Sequence, residues 1–403
     1  MKRSLIAVLL LVALAMPAAV AGAQAPDPDV LAVAEADAAL ALKLHRQLGR
    51  RPGNLLFSPY SIASALAMAY AGAHGTTAEQ MARVLGFTLD QARLHPAVAG
   101  LSRQMAAAAS GPGQQLSIAN ALWLQKGSRL EPGFIALVNQ NYGASLARVD
   151  FTRPAAAAAA INKWVDKHTD GMIPELVNSG DVEGAQLVLT NAIYFQGKWV
   201  KPFDKKNTRP QTFWLEPKKG KPVPTMHCTG RFDYGQDAVC QVLALPYRGR
   251  ALEMVIILPR RRDGLAALEA GLNSAWLKAK LAAMTRQKVM VSLPRLKLKT
   301  AYRLSHALQA LGMVDAFSSR RADFSGITGG RDFYIGQVVH KARLELEETG
   351  TRAAAATAVV MRSVAMAKPE PPKIFNADHP FVFLIRHRPS GAILFMGRVV
   401  EPG

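Results

Sequence analysis

The sequence has little cysteine and comparatively little acidic charge, and each shortage excludes a class of protein. Two of the 403 residues are cysteine, which excludes a disulfide-rich scaffold, a zinc ribbon and a cysteine-held cluster. Asp and Glu together number 29 against 49 Lys and Arg, so the formal net charge is +20. Half of the residues are hydrophobic, which excludes a disordered chain and provides for a large core. The composition therefore indicates a basic, globular protein.

Long hydrophobic runs are missing after the amino-terminal segment. No later stretch of 18 uninterrupted apolar residues occurs, so we expect no transmembrane helix. At the amino terminus, Lys2 and Arg3 precede an apolar run, Leu5–Ala15, that is too short to span a bilayer, and Ala21–Ala23 offers small residues to a signal peptidase. We predict that residues 1–23 are a secretory signal peptide. The mature protein, residues 24–403, is then secreted or periplasmic, outside a bacterial-type inner membrane.

The two cysteines leave two interpretations open. In an oxidising compartment, Cys228 and Cys240 would form a disulfide that closes a short loop. The alternative is a pair of buried thiols. The sequence does not decide between them.

Motifs for catalysis or metal binding are also missing. The chain has no GxSxG, HExxH, CxxC, Walker or GxGxxG motif, and its nine histidines include none at metal-ligand spacing. His227 lies beside Cys228 without nearby partners, and Glu347 and Glu348 are adjacent rather than convergent. We therefore expect a protein that is not an enzyme and that holds no metal or cofactor.

Helical patterns dominate the first part of the chain and strand-like runs the rest. Helices are predicted at residues 29–49, from Ser58-Pro59 towards Gly75, and around 91–109 and 154–168. Strands are predicted at 116–124, 187–195, 243–246, 252–258, 289–293, 334–346, 381–385 and 392–400, the last two forming a hairpin. This order lacks regular βαβ alternation, repeats and linkers. It indicates a single α+β domain.

Residues 349–373 do not fit either pattern. Thr357, Val359 and Val360 are β-branched and oppose a helix, and the prolines at 369, 371 and 372 oppose both a helix and a central strand. A loop of about 25 residues in a compact domain is usually functional or disordered. This one has the composition of a β-strand, which is an aggregation hazard unless its exposure has a use.

Side chains alternate within this segment in an informative way. One face carries Thr351, three more small residues and then Val359 and Met361, and it has no charge. The other face carries Arg352. The uncharged face would suit a strand that slots into an existing sheet, with Gly350 as the pivot where the loop begins.

The stretch EETGTRAAAATAVV resembles the hinge of the serpins, the serine-protease-inhibitor superfamily. Further stretches agree in the family's order along the whole mature chain: NLLFSPYSIASALAMAYAGAHGTT, LTNAIYFQGKWVKPFD, DFSGI, VVHKARLELEETGT, FNADHPFVFLIRH and FMGRVV. The resemblance implies one α+β domain with three β-sheets, eight or nine helices and an exposed reactive-centre loop. It also implies suicide inhibition of a serine or cysteine protease, which cleaves the loop and is trapped as an acyl-enzyme while the loop inserts as a new strand.

The resemblance assigns roles to particular residues. The hinge would comprise Glu348, Gly350, Thr351, Ala353, Ala354, Ala355 and Ala356. A polar cluster beneath the opening strands, the shutter, would comprise Ser58, Ser61, Asn191 and His340. The breach, where insertion starts, would contain Trp199 and Lys341. The chain departs from the family at Arg352, where glutamate is usual, but the alternation places this residue on the outward face.

Three bonds are candidates for cleavage by the protease. Inhibitory serpins place the cut about fourteen residues after the hinge glycine, which gives Val364–Ala365 and favours an elastase-like protease. The rival Arg362–Ser363 would suit a trypsin-like protease, and Met366 is a third candidate.

Two other functions compete with inhibition. A non-inhibitory member would act as a carrier or chaperone, although charged or bulky hinge residues are then usual. A polyanion is the second partner class that the net charge suggests, whereas we expect no specific nucleic acid and a monomeric protein. Three candidate basic patches are Arg260–Arg262, then Lys218, Lys219 and Lys221, and then Lys297, Lys299 and Arg303. Arg83, Arg93 and Arg103 are too scattered to form a heparin site.

Overall fold

A computed structural model describes residues 27–143, 145–351 and 371–403. The predicted signal peptide lies outside the described residues. The predicted reactive-centre loop is described only at its two ends, up to Thr351 and again from Pro371.

Eleven α-helices form within the described ranges. They are α1 (Pro28–Leu48), α2 (Pro59–Tyr70), α3 (Gly75–Leu85), α4 (Gln91–Ala108), α5 (Pro132–Tyr142), α6 (Pro154–His168), α7 (Ser179–Val182), α8 (Leu265–Gly271), α9 (Ser274–Ala282), α10 (Ser305–Ala310) and α11 (Ser325–Thr328). The helices α7 and α11 have only four residues each. The remaining nine match the eight or nine helices that the family resemblance implies.

Helix α2 shows how the local sequence sets an element. Ser58 caps it, because its side-chain oxygen accepts a hydrogen bond of 3.2 Å from the Ser61 backbone, and Pro59 fits the first turn. Small residues let it pack closely, and all of its residues except Ala63 are buried. The helix ends at Tyr70, earlier than predicted, and Gly75 begins the next helix.

Fifteen β-strands form in the same ranges. They are β1 (Leu55–Phe57), β2 (Gln114–Gln125), β3 (Ser145–Val149), β4 (Leu187–Lys198), β5 (Arg209–Glu216), β6 (Lys219–Gln236), β7 (Cys240–Pro246), β8 (Leu252–Pro259), β9 (Thr285–Pro294), β10 (Leu296–Arg303), β11 (Ile335–Glu347), β12 (Gly350–Thr351), β13 (Lys373–Asn376), β14 (Phe381–His387) and β15 (Ile393–Val399). The predicted α+β class is confirmed.

Six strands form one sheet in the order β10-β11-β12-β4-β2-β3. Most neighbours are antiparallel, but β11 and β4 are parallel and pair directly from Ile335 opposite Leu187 to Arg343 opposite Tyr194. The short β12 lies between the same two strands, further along β4, and is antiparallel to both. A two-residue strand therefore lies between β4 and β11 beyond the part in which they pair directly.

The other nine strands form a connected network in the order β1-β15-β14-β8-β7-β6-β9-β13, with β5 paired to β6. Strand β6 is 18 residues long, and its first half pairs with β5 whereas its last residues pair with β7. The two halves of β6 therefore belong to different parts of the network. These parts correspond to the second and third of the three expected sheets.

The six-stranded sheet is covered on both faces. Leu189 and Ile193 of β4 belong to the main core, which also contains most of α2. Val188 and Ala192, on the opposite face, pack in a smaller cluster with Ile161 of α6. A strand buried on both faces reads as a continuous apolar run, which explains the lack of alternation in LVLTNAI.

Cys228 and Cys240 are free thiols. Cys240 lies at the tight end of the β6–β7 hairpin, where its carbonyl accepts a hydrogen bond of 3.0 Å from the Asp237 backbone. Cys228 lies on β6, nine residues before Asp237. At 3.3 Å per residue, this places it about 30 Å along the strand from the hairpin end that holds Cys240. That separation prevents a disulfide, so both cysteines are unpaired thiols, Cys240 buried and Cys228 half-buried. Burial raises the pKa of Cys228 to about 12 and that of Cys240 to about 11.

The longest helices are amphipathic or lie within the core. Among the described residues, no helix combines the length and apolarity needed to cross a bilayer.

Candidate functional site

The centre of interest is the place where β12 enters the six-stranded sheet. Gly350 lies opposite Lys198 of β4 and Glu347 of β11, and Thr351 lies opposite Gly197 and Leu346. Both residues of β12 are buried. The end of the described segment is thus already a strand of the sheet.

Only glycine fits at position 350. Its φ of +147° lies in a region that other residues rarely adopt, and an added Cβ would lie 2.0 Å from the Gly197 carbonyl oxygen. The close approach to β4 and the turn out of β11 both depend on this missing side chain. The predicted pivot is therefore where the chain reverses.

Thr351 points into a buried aromatic pocket. Its hydroxyl is 2.8 Å from the Tyr247 hydroxyl, and both groups are fully buried. The Tyr247 ring stacks on Trp199 at a centroid distance of 4.4 Å and meets Phe195 edge to face at 5.0 Å. A small side chain with one hydroxyl satisfies this pocket, whereas a bulky or charged one would not.

Trp199 holds the chain that leads into the hinge. Its indole N–H donates to the Glu347 carbonyl at 3.2 Å, and its backbone N–H donates to the Thr349 carbonyl at 2.9 Å. The predicted breach residue thus contacts the end of β11 and the turn that follows. Trp199 therefore packs in the core against Tyr247 and also contacts the hinge.

Glu348 is buried and ionically paired at the same corner. Arg295 donates to its carboxylate through Nε at 2.8 Å and also through Nη2, and Thr208 donates from Oγ1 at 2.6 Å. Burial acts to raise the pKa of Glu348, but the hydrogen bonds from Thr208 and Arg295 outweigh it and leave the pKa below its ordinary value. The hinge carboxylate is therefore held in its charged form.

The structure does not bring Lys341 to Trp199. Lys341 pairs in register with Ala192, seven residues before Trp199, and its ammonium donates to the Glu175 carbonyl. Burial and then the positive charge of Lys299 lower its pKa. Arg295 is the residue whose cation pairs with Glu348, next to the Glu347 that Trp199 contacts. Sequence reasoning missed Arg295 because Glu348 is 53 residues away along the chain.

The second part of the site is a polar cluster formed by the buried Ser58, Ser61, Asn191 and His340 and the half-buried Asn120, which we call the shutter cluster. His340 of β11 lies opposite Asn191 of β4, and Asn120 of β2 lies opposite Asn191 on its other side. One polar side chain from each of three strands therefore meets the start of α2. The sequence analysis does not assign Asn120 to this cluster. The signal for it is weak: a single polar residue within the predicted strand 116–124, just before its apolar end.

Hydrogen bonds fix the protonation state of His340. The Ser58 backbone N–H donates to Nε2 at 3.1 Å, so Nε2 is unprotonated and Nδ1 carries the proton that is donated to Asn191 Oδ1. The Asn191 amide donates in turn to Ser61 Oγ and Asn120 Oδ1. Burial lowers the pKa of His340 to about 3. A neutral histidine is thus locked between β4, β11 and α2.

The remaining predicted site residues lie outside the described part of the chain. These are Ala353, Ala354, Ala355 and Ala356 of the hinge, and the candidate cleavage residues Arg362, Ser363, Val364, Ala365 and Met366.

The fold and the site together define a class of protein in whose central sheet a short strand lies between the ends of two parallel strands. The family model described as "Serpin (serine protease inhibitor)" matches residues 35–402. The chain belongs to the serpin family.

Named relatives agree with this assignment. The chain is 41% identical over 365 residues to the human leukocyte elastase inhibitor, covering 87% of this chain and 93% of that one. It is also 41% identical over 360 residues to an uncharacterised serpin-like protein of Thermococcus kodakarensis, covering 89% of this chain and 83% of that one.

Solved structures share the fold. Serpin48 of the insect Tenebrio molitor has a TM-score of 0.81 at 31% identity, covering 92% of this chain and 98% of that one. Uncleaved ovalbumin has a TM-score of 0.82 at 29% identity, covering 92% of this chain and all of that one. The serpin fold predicted from the sequence is confirmed.

The shutter cluster should make the protein sensitive to acid. The folded pKa of His340, about 3, is below the value of 6.5 for free histidine, so the folded state binds fewer protons than the unfolded state. The contribution of neutral His340 to the free energy of unfolding is fully present above pH 6.5. It is lost as the pH falls towards 3, at up to about 1.4 kcal/mol per pH unit. Unfolding temperature measured from pH 7 to pH 4 should fall more steeply for the wild type than for His340→Gln.

The glutamine can accept from Ser58 and donate to Asn191 without titrating. His306→Gln is the matched control, because His306 is an exposed side chain whose replacement should leave the wild-type pH dependence unchanged. Equal acid sensitivity in His340→Gln and wild type would contradict the assignment.

Proposed function

We propose that the protein is a suicide-substrate inhibitor of serine proteases with elastase-like specificity. The observation that carries this proposal is β12, which places Gly350 and Thr351 between the parallel strands β4 and β11. Since β12 already lies between β4 and β11 at one end, the residues that follow it could continue between the same two strands along their length. Cleavage of the loop would release the segment that follows.

The register of β12 defines the path of the inserting strand. Continued along β4, it places Met361 opposite Leu187, the first residue of that strand. The inserted strand would then run from Gly350 to Met361 and match the full length of β4. Each of its residues would gain neighbours on both sides.

The composition of the segment suits this path. Thr351 faces the main core, against Tyr247, so every second residue after it would face the same way. These residues are Ala353, Ala355, Thr357, Val359 and Met361. All are uncharged, so burying them requires no unpaired charge to leave water.

Insertion would supply the driving force for trapping. About ten new ladder hydrogen bonds at about 1 kcal/mol each give on the order of 10 kcal/mol, to which the burial of apolar side chains adds. The uncut form is then held by kinetics rather than by equilibrium.

The chemical step is an interrupted acyl transfer. The protease serine oxygen would bond to the Val364 carbonyl carbon, and the bond to the Ala365 nitrogen would break as that nitrogen takes up the serine proton. Val364 lies three residues beyond Met361 and therefore beyond the end of β4. The acylated protease would be carried to the far end of the sheet before hydrolysis.

Two observations favour an elastase-like target. Val364 is a branched apolar residue of modest volume, which suits a shallow specificity pocket. Several relatives at about 40% identity are leukocyte elastase inhibitors. We further propose that the protein acts outside the cytoplasm, on the basis of the predicted signal peptide.

Mixing the protein with an elastase-like enzyme should give a covalent complex. We expect a band of higher mass that survives denaturation in SDS, and loss of protease activity. Cleaved protein with full protease activity would instead indicate a non-inhibitory member of the family, such as a carrier or chaperone.

Thr351→Arg should convert the inhibitor into a substrate. The substitution places a charge in the pocket formed by Tyr247, where burial without a partner costs several kcal/mol. Slower insertion leaves time for hydrolysis, so the number of inhibitor molecules consumed per protease should rise severalfold in a titration.

Arg352→Ala is the matched control for this experiment. The alternation places Arg352 on the outward face, and its replacement should leave the stoichiometry unchanged. If Thr351→Arg inhibits with the wild-type stoichiometry, strand insertion at this register is wrong.

Val364→Arg should shift the preference from elastase-like to trypsin-like proteases, because a guanidinium fits a deep acidic pocket. Mass spectrometry of the peptide released from the wild type should show a new amino terminus at Ala365. An amino terminus at Ser363 would assign the cut to Arg362, which shortens the carried strand, and one at Ala367 would assign it to Met366.

A further inference from the structure

A buried carboxyl group on helix α1 takes no part in the site described above. Asp37 is 3% exposed and lies on the buried face of α1. Val33 and Ala34 are one turn before it and Leu40 and Ala41 one turn after it, and all four are apolar and buried. An aspartate is almost never buried to this extent unless it is paired, so its surroundings need an explanation.

One oxygen of this carboxyl group holds the start of β15. Asp37 Oδ2 accepts a hydrogen bond of 2.6 Å from the Ile393 backbone N–H. Strand β1 pairs with β15 only from Met396 to Arg398 and does not extend as far as Ile393. Asp37 therefore supplies an acceptor beyond the end of the neighbouring strand, and it ties α1 to β15.

The other oxygen of Asp37 has no such contact. Oδ1 is buried and has no hydrogen-bond partner among the described residues. Asp37 lines a small cavity between α1, α2 and α4, which Ser64 and Val98 also line. The cavity volume of about 10 Å³ is close to the lower limit for a single water molecule. The carboxyl group is therefore cut off from bulk water.

No cation compensates Asp37 within the described part of the chain, where its carboxyl group forms no ion pair. Lys43 is the next cation along α1, and it donates to two backbone carbonyls at the end of α3 at 3.1 Å each. Arg386 lies opposite Ile393 on β14 and pairs with Glu253 at 2.7 Å. The nearest cations by sequence and by register are thus engaged elsewhere.

The side chains around the cavity bring one further titratable group, Tyr60 of α2. Its hydroxyl donates to Ser102 of α4 at 2.9 Å, and burial raises the pKa of Tyr60 to about 12. Phe87 lines the cavity from the segment after α3, and Val98 and Leu101 line it from α4. Tyr60 is therefore neutral near physiological pH, and the other groups do not titrate.

The neutral form of the carboxyl group fits this place better than the charged form. Burial raises the pKa of Asp37 well above its ordinary value, although the hydrogen bond from Ile393 acts to lower it. A buried O–H without a partner costs far less free energy than a buried charge without one. With the proton on Oδ1, Oδ2 can still accept from Ile393.

We infer that Asp37 is a pH-dependent switch between α1 and β15. Its carboxyl group is protonated in the folded protein at mildly acidic pH and holds the two elements together. Ionisation at higher pH favours local opening of α1 from β15, because opening lets water reach the charge. The switch acts in the direction opposite to His340, which loses its stabilising contribution in acid.

The sign of the effect follows from proton binding. Folded Asp37 keeps its proton at pH values at which the unfolded chain has lost it, so the folded state binds more protons. The contribution of Asp37 to the free energy of unfolding is fully present below the ordinary aspartate pKa of about 4. It is lost as the pH rises through the pKa of the folded state.

Unfolding temperatures of the wild type and of Asp37→Asn, measured from pH 5 to pH 9, test the switch. Asparagine has nearly the same shape and keeps an acceptor for the Ile393 N–H, but it does not titrate. We expect the stability of the variant relative to the wild type to increase as the pH rises. A difference that stays constant over the whole range would overturn the inference.

Glu35→Gln is the matched control on the same helix. Glu35 is exposed and pairs with Lys278 at 2.6 Å, so the substitution removes one negative charge from α1 without changing a buried group. Its difference from the wild type should not change between pH 5 and pH 9. A trend equal to that of Asp37→Asn would assign the effect to the charge of the helix and would overturn the switch.

Asp37→Ala separates titration from a purely structural role. It removes the acceptor for Ile393 and leaves a larger cavity, so it should be less stable than Asp37→Asn by the same amount at every pH. Losses relative to the wild type that are equal in both variants and independent of pH would assign Asp37 a structural role only, against the inference.

Hydrogen exchange at the Ile393 amide gives a local measurement. After correction for the intrinsic pH dependence of exchange, the equilibrium constant for opening should rise with pH in the wild type by up to about tenfold per pH unit. It should stay constant in Asp37→Asn. An opening constant in the wild type that does not change with pH would contradict a switch at this contact.

The inference is independent of the proposed function. Asp37 bonds to neither the hinge nor the shutter cluster, so Asp37→Asn should inhibit a protease with the wild-type stoichiometry. If the wild type fails to inhibit, the stability and exchange measurements keep their meaning. If the pH trends are absent, inhibition is unaffected, so the failure of one proposal is distinguishable from the failure of the other.

Discussion

The parallel pairing of β4 with β11 is the constraint on which the rest of the structure depends. The two strands bond directly from Leu187 to Tyr194 and are then parted by β12, which is antiparallel to both. Parallel ladders are slightly weaker per residue than antiparallel ones. Under the proposed mechanism, replacing one parallel contact by two antiparallel contacts would lower the free energy, so the sheet would fold and still have a more stable arrangement available.

The polar residues around this seam hold it closed with interactions that burial makes strong. His340 and Asn191 bond across β4 and β11. Ser58 ties His340 to the start of α2, and Ser61 ties Asn191 to it. At the entry, Glu348 is neutralised by Arg295. A buried polar group is costly once its partner is removed, so each of these contacts resists separation of the strands. In the proposed mechanism, the barrier to strand separation and the driving force for insertion would thus lie in the same part of the sheet.

Sequence reasoning was strongest where local pattern or a long motif was decisive, and weakest for contacts between distant segments. Ser58 was identified as a helix cap from its neighbours alone. Gly350 was identified as a pivot, which the left-handed backbone and the close approach to β4 explain. Arg295 and Asn120 were missed, because nothing near either residue in the sequence indicates its buried partner. Lys341 was placed at the breach by its motif, but the register of β11 puts it beside the shutter cluster.

The two paired residues of β12 also fix where every later residue would stop. Continued past Thr351, the register brings residue 357 level with both Asn191 and His340, the two residues that now bond to each other. That residue is Thr357, which on insertion would face the same way as Thr351, so its hydroxyl could donate to one neighbour and accept from the other. Insertion would break the hydrogen bond between His340 and Asn191. The register places the hydroxyl that could replace it, that of Thr357, seven residues after the pivot Gly350. Adding or deleting one residue within that distance would turn the threonine outward and leave the Nδ1–H of His340 without the acceptor that Thr357 would supply, while Nε2 keeps its bond to Ser58.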